Sequence, residues 1–152
     1  TGRETLLDLY CGAGTIGLSM AKRVKQLIGV EIIPEAVENA RVNALRNGVE
    51  NARFLCGDAA DAALALEREG ISPDVVVIDP PRKGCAPGLT ETIARMKPER
   101  VVMVSCDSAT AARDAASCNA LGYRPVRVQA VDMFPRTAHV ECVVLMQRLR
   151  AD

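Results

Sequence analysis

Seven short apolar runs punctuate the chain: Thr5–Tyr10, Leu27–Ile32, Ala52–Cys56, Asp74–Ile78, Arg100–Ser105, Arg124–Val131 and Val140–Leu145. Most are rich in Val, Ile and Leu with little polar alternation, the pattern of strands buried on both faces. Between them, Thr15–Val24, Glu35–Arg46, Asp61–Glu69, Leu89–Met96 and Ala109–Leu121 read as helices. The second has clear boundaries, with Pro34 at its start and Gly48 just past its end. Strand–helix–strand alternation predicts an α/β fold with a parallel, doubly wound sheet.

The last two runs break the alternation. Only about eight residues separate Val131 from Val140, whereas a parallel crossover needs a dozen or more. The seventh strand is therefore predicted antiparallel to the sixth. Its first residues then lie at the sheet edge where the parallel strands end, the edge at which open α/β sheets bind ligands. A seven-stranded, mostly parallel sheet with an antiparallel last strand resembles the class I methyltransferase variant of the Rossmann-like fold.

Composition narrows the functional classes. The chain has 152 residues, one domain's worth, with 49% hydrophobic and 25% charged types. Nineteen basic and nineteen acidic residues cancel, which argues against a polybasic nucleic-acid binder. The aromatic residues are only Tyr10, Phe54, Tyr123 and Phe134, too few for a surface built mainly on stacking. The six cysteines include no C-x-x-C pair and are expected as reduced, mostly buried thiols. With His139 the lone histidine, no structural zinc or other metal site is expected. No apolar stretch approaches a membrane span and no leader opens the chain, so a cytoplasmic location without membrane contact is expected. The chain begins without Met, directly before a strand, and reads as an excised domain.

The first candidate chemistry is the loop Asp8-Leu9-Tyr10-Cys11-Gly12-Ala13-Gly14-Thr15-Ile16-Gly17. Gly12, Gly14 and Gly17 match G-x-G-x-x-G between a strand and a helix, where glycines let the backbone turn sharply and approach a ligand closely. Glu31 ends the second strand, 19 residues after Gly12, and suits ribose hydroxyls. Asp58 follows the third strand, where an adenine amino group could be read; helix capping is its alternative use. The loop alone does not separate NAD from S-adenosylmethionine. Two acids, Asp8 inside the first strand and Asp58 after the third, favour a sulfonium with an amino-acid tail over a pyrophosphate.

Further along, Asp79-Pro80-Pro81-Arg82-Lys83-Gly84 leaves the fourth strand. The double proline stiffens the exit and holds Asp79 and Arg82 at the carboxyl edge. Cys106 ends the fifth strand, just before a helix that Asp107 or Ser108 would cap. A thiol there feels the positive end of the helix dipole, which favours the thiolate; a small apolar filler is the alternative. Glu141 opens the seventh strand at the same edge, and an acid starting an apolar strand needs a partner or a task.

Leu9-Tyr10-Cys11-Gly12-Ala13-Gly14, Gly29-Val30-Glu31, Asp79-Pro80-Pro81-Arg82-Lys83-Gly84, Ser105-Cys106-Asp107 and Asp132-Met133-Phe134-Pro135-x-Thr137-Ala138-His139-Val140-Glu141 together resemble the RNA uracil-C5 methyltransferases. The resemblance spans nearly the whole chain. It implies an S-adenosyl-L-methionine-dependent enzyme acting on tRNA or rRNA, with Cys106 as nucleophile and Glu141 as general base. Tyr10, Gly12, Gly14, Thr15, Glu31 and Asp58 would surround the cofactor, and Asp79 would sit between cofactor and target base. Full-length relatives usually add an N-terminal β-barrel RNA-binding domain, and some an iron–sulfur cluster. The resemblance therefore implies a catalytic fragment, monomeric, whose RNA partner is gripped mainly by domains outside it. A cytosine-C5 RNA methyltransferase is the rival within this chemistry, disfavoured because Pro81 is followed by Arg82 rather than Cys. A non-catalytic NAD-binding domain is the rival of another class.

Overall fold

The computed structural model describes residues 1–137 and 139–149. Ala138, inside the last motif, lies outside the described residues. The elements are β1 (Thr5–Leu9), α1 (Thr15–Met20), β2 (Gln26–Glu31), α2 (Pro34–Arg46), β3 (Ala52–Cys56), α3 (Ala59–Arg68), β4 (Val75–Ile78), α4 (Leu89–Met96), β5 (Arg100–Ser105), α5 (Ser108–Ala120), β6 (Tyr123–Val131) and β7 (Glu141–Arg148). A short 3-10 turn at Ala21–Arg23 completes what the sequence suggests is one longer first helix.

The strands form one sheet in the order β3-β2-β1-β4-β5-β7-β6, with β7 antiparallel to both neighbours. The chain winds outward from β1 to β3, then returns to lay β4 against the other side of β1. That reversal opens a crevice at the carboxyl ends of β1 and β4, the expected place for a ligand.

Alternation along each strand feeds two cores, one per face. Leu7 and Leu9 of β1 join Val76, Ile78, Val101 and Met103 under α3, α4 and α5. Leu6 packs with Leu27, Phe54 and Val77 under α1 and α2. Each of these side chains, once removed from water, contributes about 1.5–3 kcal/mol.

The sixth strand departs from the buried-strand expectation. Only Tyr123 of β6 is buried; its other residues are exposed. β6 is the last strand of the sheet, so one edge has no strand partner among the described residues. Its polar content, Arg124, Arg127 and Gln129, suits that place. Pro125, at an irregularity in the register, is tolerated for the same reason, because an edge need not donate every ladder bond. Among the described residues no helix is long and apolar enough to cross a membrane, and all six cysteines are free.

Candidate active site

The glycine loop is tied down by its neighbours. Tyr10, Gly12 and Gly14 all adopt positive φ, at 62°, 53° and 82°. For Tyr10 this is an unfavourable backbone region, which persists only where surroundings enforce it. The Cys11 amide donates to the Val30 carbonyl at 2.9 Å, closing the loop over β2. Glu31 spans two turns: one carboxylate oxygen accepts from the Gly12 amide at 3.0 Å, the other from the Ile33 amide at 3.0 Å. The third glycine serves packing, since a Cβ on Gly17 would lie 2.7 Å from Asp8 Oδ2 and 2.8 Å from Leu27 Cδ1.

Asp8 lies beneath this loop, only 1% exposed. Its Oδ2 accepts from the Gly17 amide at 2.9 Å, while Oδ1 has no partner among the described residues. Burial pushes its carboxyl up to about 7, and the charge on Asp79 adds to the rise.

A cavity of about 360 Å³ opens at the carboxyl ends of β1, β2 and β4. Acidic Glu31, Asp58 and Asp79 line it, with Tyr10 and the apolar Ile32, Ile33, Pro81 and Ala86. Asp58 also caps α3, accepting from the Ala60 amide at 2.8 Å and the Asp61 amide at 3.3 Å. The capping and cavity-lining uses of Asp58 are thus compatible. Gly12, Gly14 and Thr15 are not among the lining residues; Thr15 faces a separate hollow with Ala13, Leu18 and Asn43.

The second half of the site comes from β5 and β7. These strands are antiparallel, and their last paired residues are Ser105 and Cys142. Cys106 follows Ser105 and Glu141 precedes Cys142, so each lies one residue beyond that last pair, at the same edge of the sheet. Both are half-buried. The turn that carries Cys106 is fixed on its far side: the Asp107 amide donates to Ser105 Oγ at 3.2 Å, and Asp107 Oδ1 accepts from the Thr110 amide at 2.9 Å to cap α5. That amide holds the Asp107 carboxyl low, and the charge on Arg82 adds to the effect. Burial raises the Asp79 carboxyl, with the Glu141 charge contributing. Asp79 thus feels the charge on Glu141, and Asp107 that on Arg82. His139 is exposed, its ring edge-on to Phe134 with centroids 6.5 Å apart.

Three thiols, Cys11, Cys85 and Cys118, are held in the protonated, poorly nucleophilic form. Burial pushes Cys11 up to about 12 and Cys118 up to about 11, and it also raises Cys85, with help from the Asp114 carboxylate.

A family profile described as tRNA (Uracil-5-)-methyltransferase matches residues 1–149. The chain belongs to that family. An uncharacterized RNA methyltransferase of Clostridium acetobutylicum is 50% identical over 149 residues, covering 98% of this chain and 32% of the relative. The chain thus spans about a third of the length of the curated relatives it matches. The crystal structure of Pyrococcus abyssi tRNA (uracil-54, C5)-methyltransferase in complex with S-adenosyl-L-homocysteine is 38% identical, with a TM-score of 0.79 over 95% of this chain and 34% of that one. Precorrin-6y C5,15-methyltransferase from Geobacter metallireducens shares only the fold, at 12% identity and a TM-score of 0.77 over 98% of this chain and 82% of that one.

For this member of the uracil-5 family, sequence reasoning missed part of the cavity wall. Ile32 and Ile33, 60% and 54% exposed, line it beside the acids, as do Pro81 and Ala86. A signal was available: two isoleucines directly before the helix-starting Pro34 occupy positions where capping would favour polar residues.

Proposed function

We propose that this chain binds S-adenosylmethionine in the acid-lined cavity and takes part in methylating C5 of a uracil in RNA. The observation that supports the reading is the β5–β7 register, whose last pair, Ser105 with Cys142, adjoins Cys106 and Glu141 at the same edge as the cavity. The cavity chemistry fits the cofactor: carboxylates complement a sulfonium and an ammonium, ribose hydroxyls can donate to Glu31, and the isoleucines suit a flat purine face. Bound there, the cofactor supplies an electrophilic methyl group.

The remaining chemistry falls to the chain's own residues. C5 of uracil is a weak nucleophile. Addition of the Cys106 thiolate to C6 forms a carbon–sulfur bond and moves electron density onto C5, which then takes the methyl. Glu141 removes the proton from C5; the electron pair reforms the C5–C6 double bond and expels the Cys106 thiolate. Two groups are needed at neighbouring carbons of one small ring, and positions next to the last pair of two adjacent strands suit that requirement. Asp79, beside Glu141, would face both cofactor and base. The target base must leave its stack to enter such a site.

The test uses RNA bearing 5-fluorouracil. Fluorine at C5 leaves no proton for Glu141 to remove, so a covalent protein–RNA adduct should accumulate with S-adenosylmethionine and vanish in Cys106→Ala. An adduct that persists in Cys106→Ala would overturn the nucleophile assignment. Calorimetry should show binding of S-adenosylhomocysteine; tight NAD binding in its place would overturn the cofactor reading.

A further inference from the structure

The loop after β4 is held from two sides. Toward the cavity, the Ala86 amide donates to the Tyr10 hydroxyl at 3.2 Å. From behind, two adjacent residues of α5 grip the loop backbone. Asp114, 5% exposed, accepts from the Cys85 amide at 2.8 Å, and Arg113 Nη2 donates to the Lys83 carbonyl at 2.9 Å. The two side chains also bind each other, Nε and Nη2 of Arg113 reaching Asp114 Oδ1 at 2.9 and 2.8 Å. A buried carboxylate is retained only where such partners satisfy it. Gly84 sits between the two grips with φ at +86°, and a Cβ there would collide with Arg113 Nη2 and lie 2.6 Å from Asp114 Oδ2. The glycine therefore makes room for the pair.

Space lies on both sides of this loop. Lys83 and Ala86 line the cofactor cavity on one side, and on the other a hollow of about 470 Å³ bordered by Arg113 and Asp114. The loop is a thin partition, and without a hold from behind it is free to shift away from the cavity. Neither Arg113 nor Asp114 lines the cavity itself. The helix that carries them starts at Ser108, just past Cys106.

We propose that Arg113 and Asp114 are positioning residues that clamp the Pro81–Ala86 loop as the cavity wall and tie it to the Cys106-bearing end of β5. The proposal rests on the cofactor reading of that cavity. Cofactor meets its full set of contacts only when the loop is closed, so apparent affinity scales with the closed fraction. Removing the clamp lowers that fraction without substituting any residue that lines the cavity.

Two measurements on the full chain test this. Amide hydrogen exchange at Cys85 reports the clamp directly: Asp114→Ala should speed it about 10- to 100-fold, the range for loss of a hydrogen bond to a charged group. Calorimetry with S-adenosylhomocysteine reports the consequence, and Asp114→Ala should bind about tenfold more weakly at temperatures where circular dichroism shows it folded. Asp114→Asn keeps one acceptor oxygen and should recover part of both effects. Gly84→Ala should reproduce both from the loop side. Arg113 is 55% exposed, so Arg113→Ala spares the core and should weaken binding in the same direction. Affinity within twofold of wild type in folded Asp114→Ala, or in Arg113→Ala, overturns the clamp. Failure of the wild-type chain to bind S-adenosylhomocysteine overturns the cofactor reading instead, and the Cys85 exchange still tests the clamp.

Discussion

Replacing Asp8 with Asn probes the electrostatics beneath the glycine loop. Asp8 is buried, with one carboxylate oxygen on the Gly17 amide and the other without a partner among the described residues. Burial, with the Asp79 charge adding to it, raises its carboxyl from 3.8 to about 7. Between those values the folded chain holds a proton that the unfolded chain has released. Stability is therefore full below about pH 3.8 and falls as pH rises toward about 7. At about 1.4 kcal/mol for each pH unit, the loss across that window is about 4 kcal/mol. Asn keeps an oxygen for Gly17 and does not titrate. Urea unfolding of both proteins between about pH 4 and pH 8 isolates the effect. The wild type should lose about 4 kcal/mol relative to Asp8→Asn, or about 2 M in midpoint for a slope of about 2 kcal/mol/M. The unpaired amide NH₂ of Asn adds an offset that cancels across pH. A stability difference constant to about 0.5 kcal/mol over the range would refute the reasoning.

Other perturbations have equally definite outcomes. Gly17→Ala places a methyl 2.7 Å from Asp8 Oδ2 and should destabilise the fold by about 1–3 kcal/mol in thermal or urea unfolding. Asp58→Ala removes the α3 cap and should lose about 1 kcal/mol, whereas Asp58→Asn keeps the cap; weaker S-adenosylhomocysteine binding in both would separate the ligand role from the capping role. Glu141→Gln leaves Cys106 in place but cannot take the C5 proton, so with ordinary RNA it should accumulate a methylated covalent adduct visible by denaturing gel and mass spectrometry. A Glu141→Gln variant that releases methylated RNA at the wild-type rate would remove Glu141 from the role of base.

Much of the site was legible in the residue string because strand ends are legible. Four strands of this sheet end at a change to chemically special residues: Leu9 to Tyr10, Val30 to Glu31, Ile78 to Asp79, Ser105 to Cys106. A parallel sheet brings those ends to one edge whatever the side-chain detail. The short link between the last two strands likewise forced β7 to run backwards and set Glu141 at that edge. What eluded sequence reasoning depended on contacts distant in the chain. Glu31 looks like a ribose ligand, yet its two oxygens also join the first and second loops through Gly12 and Ile33. The exposure of β6 follows from its place at the end of the strand order, which its valines do not announce.

The sequence by itself determined the element order, the parallel winding, the glycine loop and the acids at the ends of several strands, because local periodicity and short connections leave few arrangements for them. Tertiary structure alone decided which of these groups meet. The β5–β7 register pairs Ser105 with Cys142, which brings the ends carrying Cys106 and Glu141 to one place. The strand order makes β6 an edge, and the packing of α5 sets Arg113 and Asp114 behind a loop about 30 residues earlier in the chain. The physical reason is that periodicity is a property of neighbouring residues. Register and helix docking are settled by complementary surfaces and backbone hydrogen bonds between segments far apart in the chain.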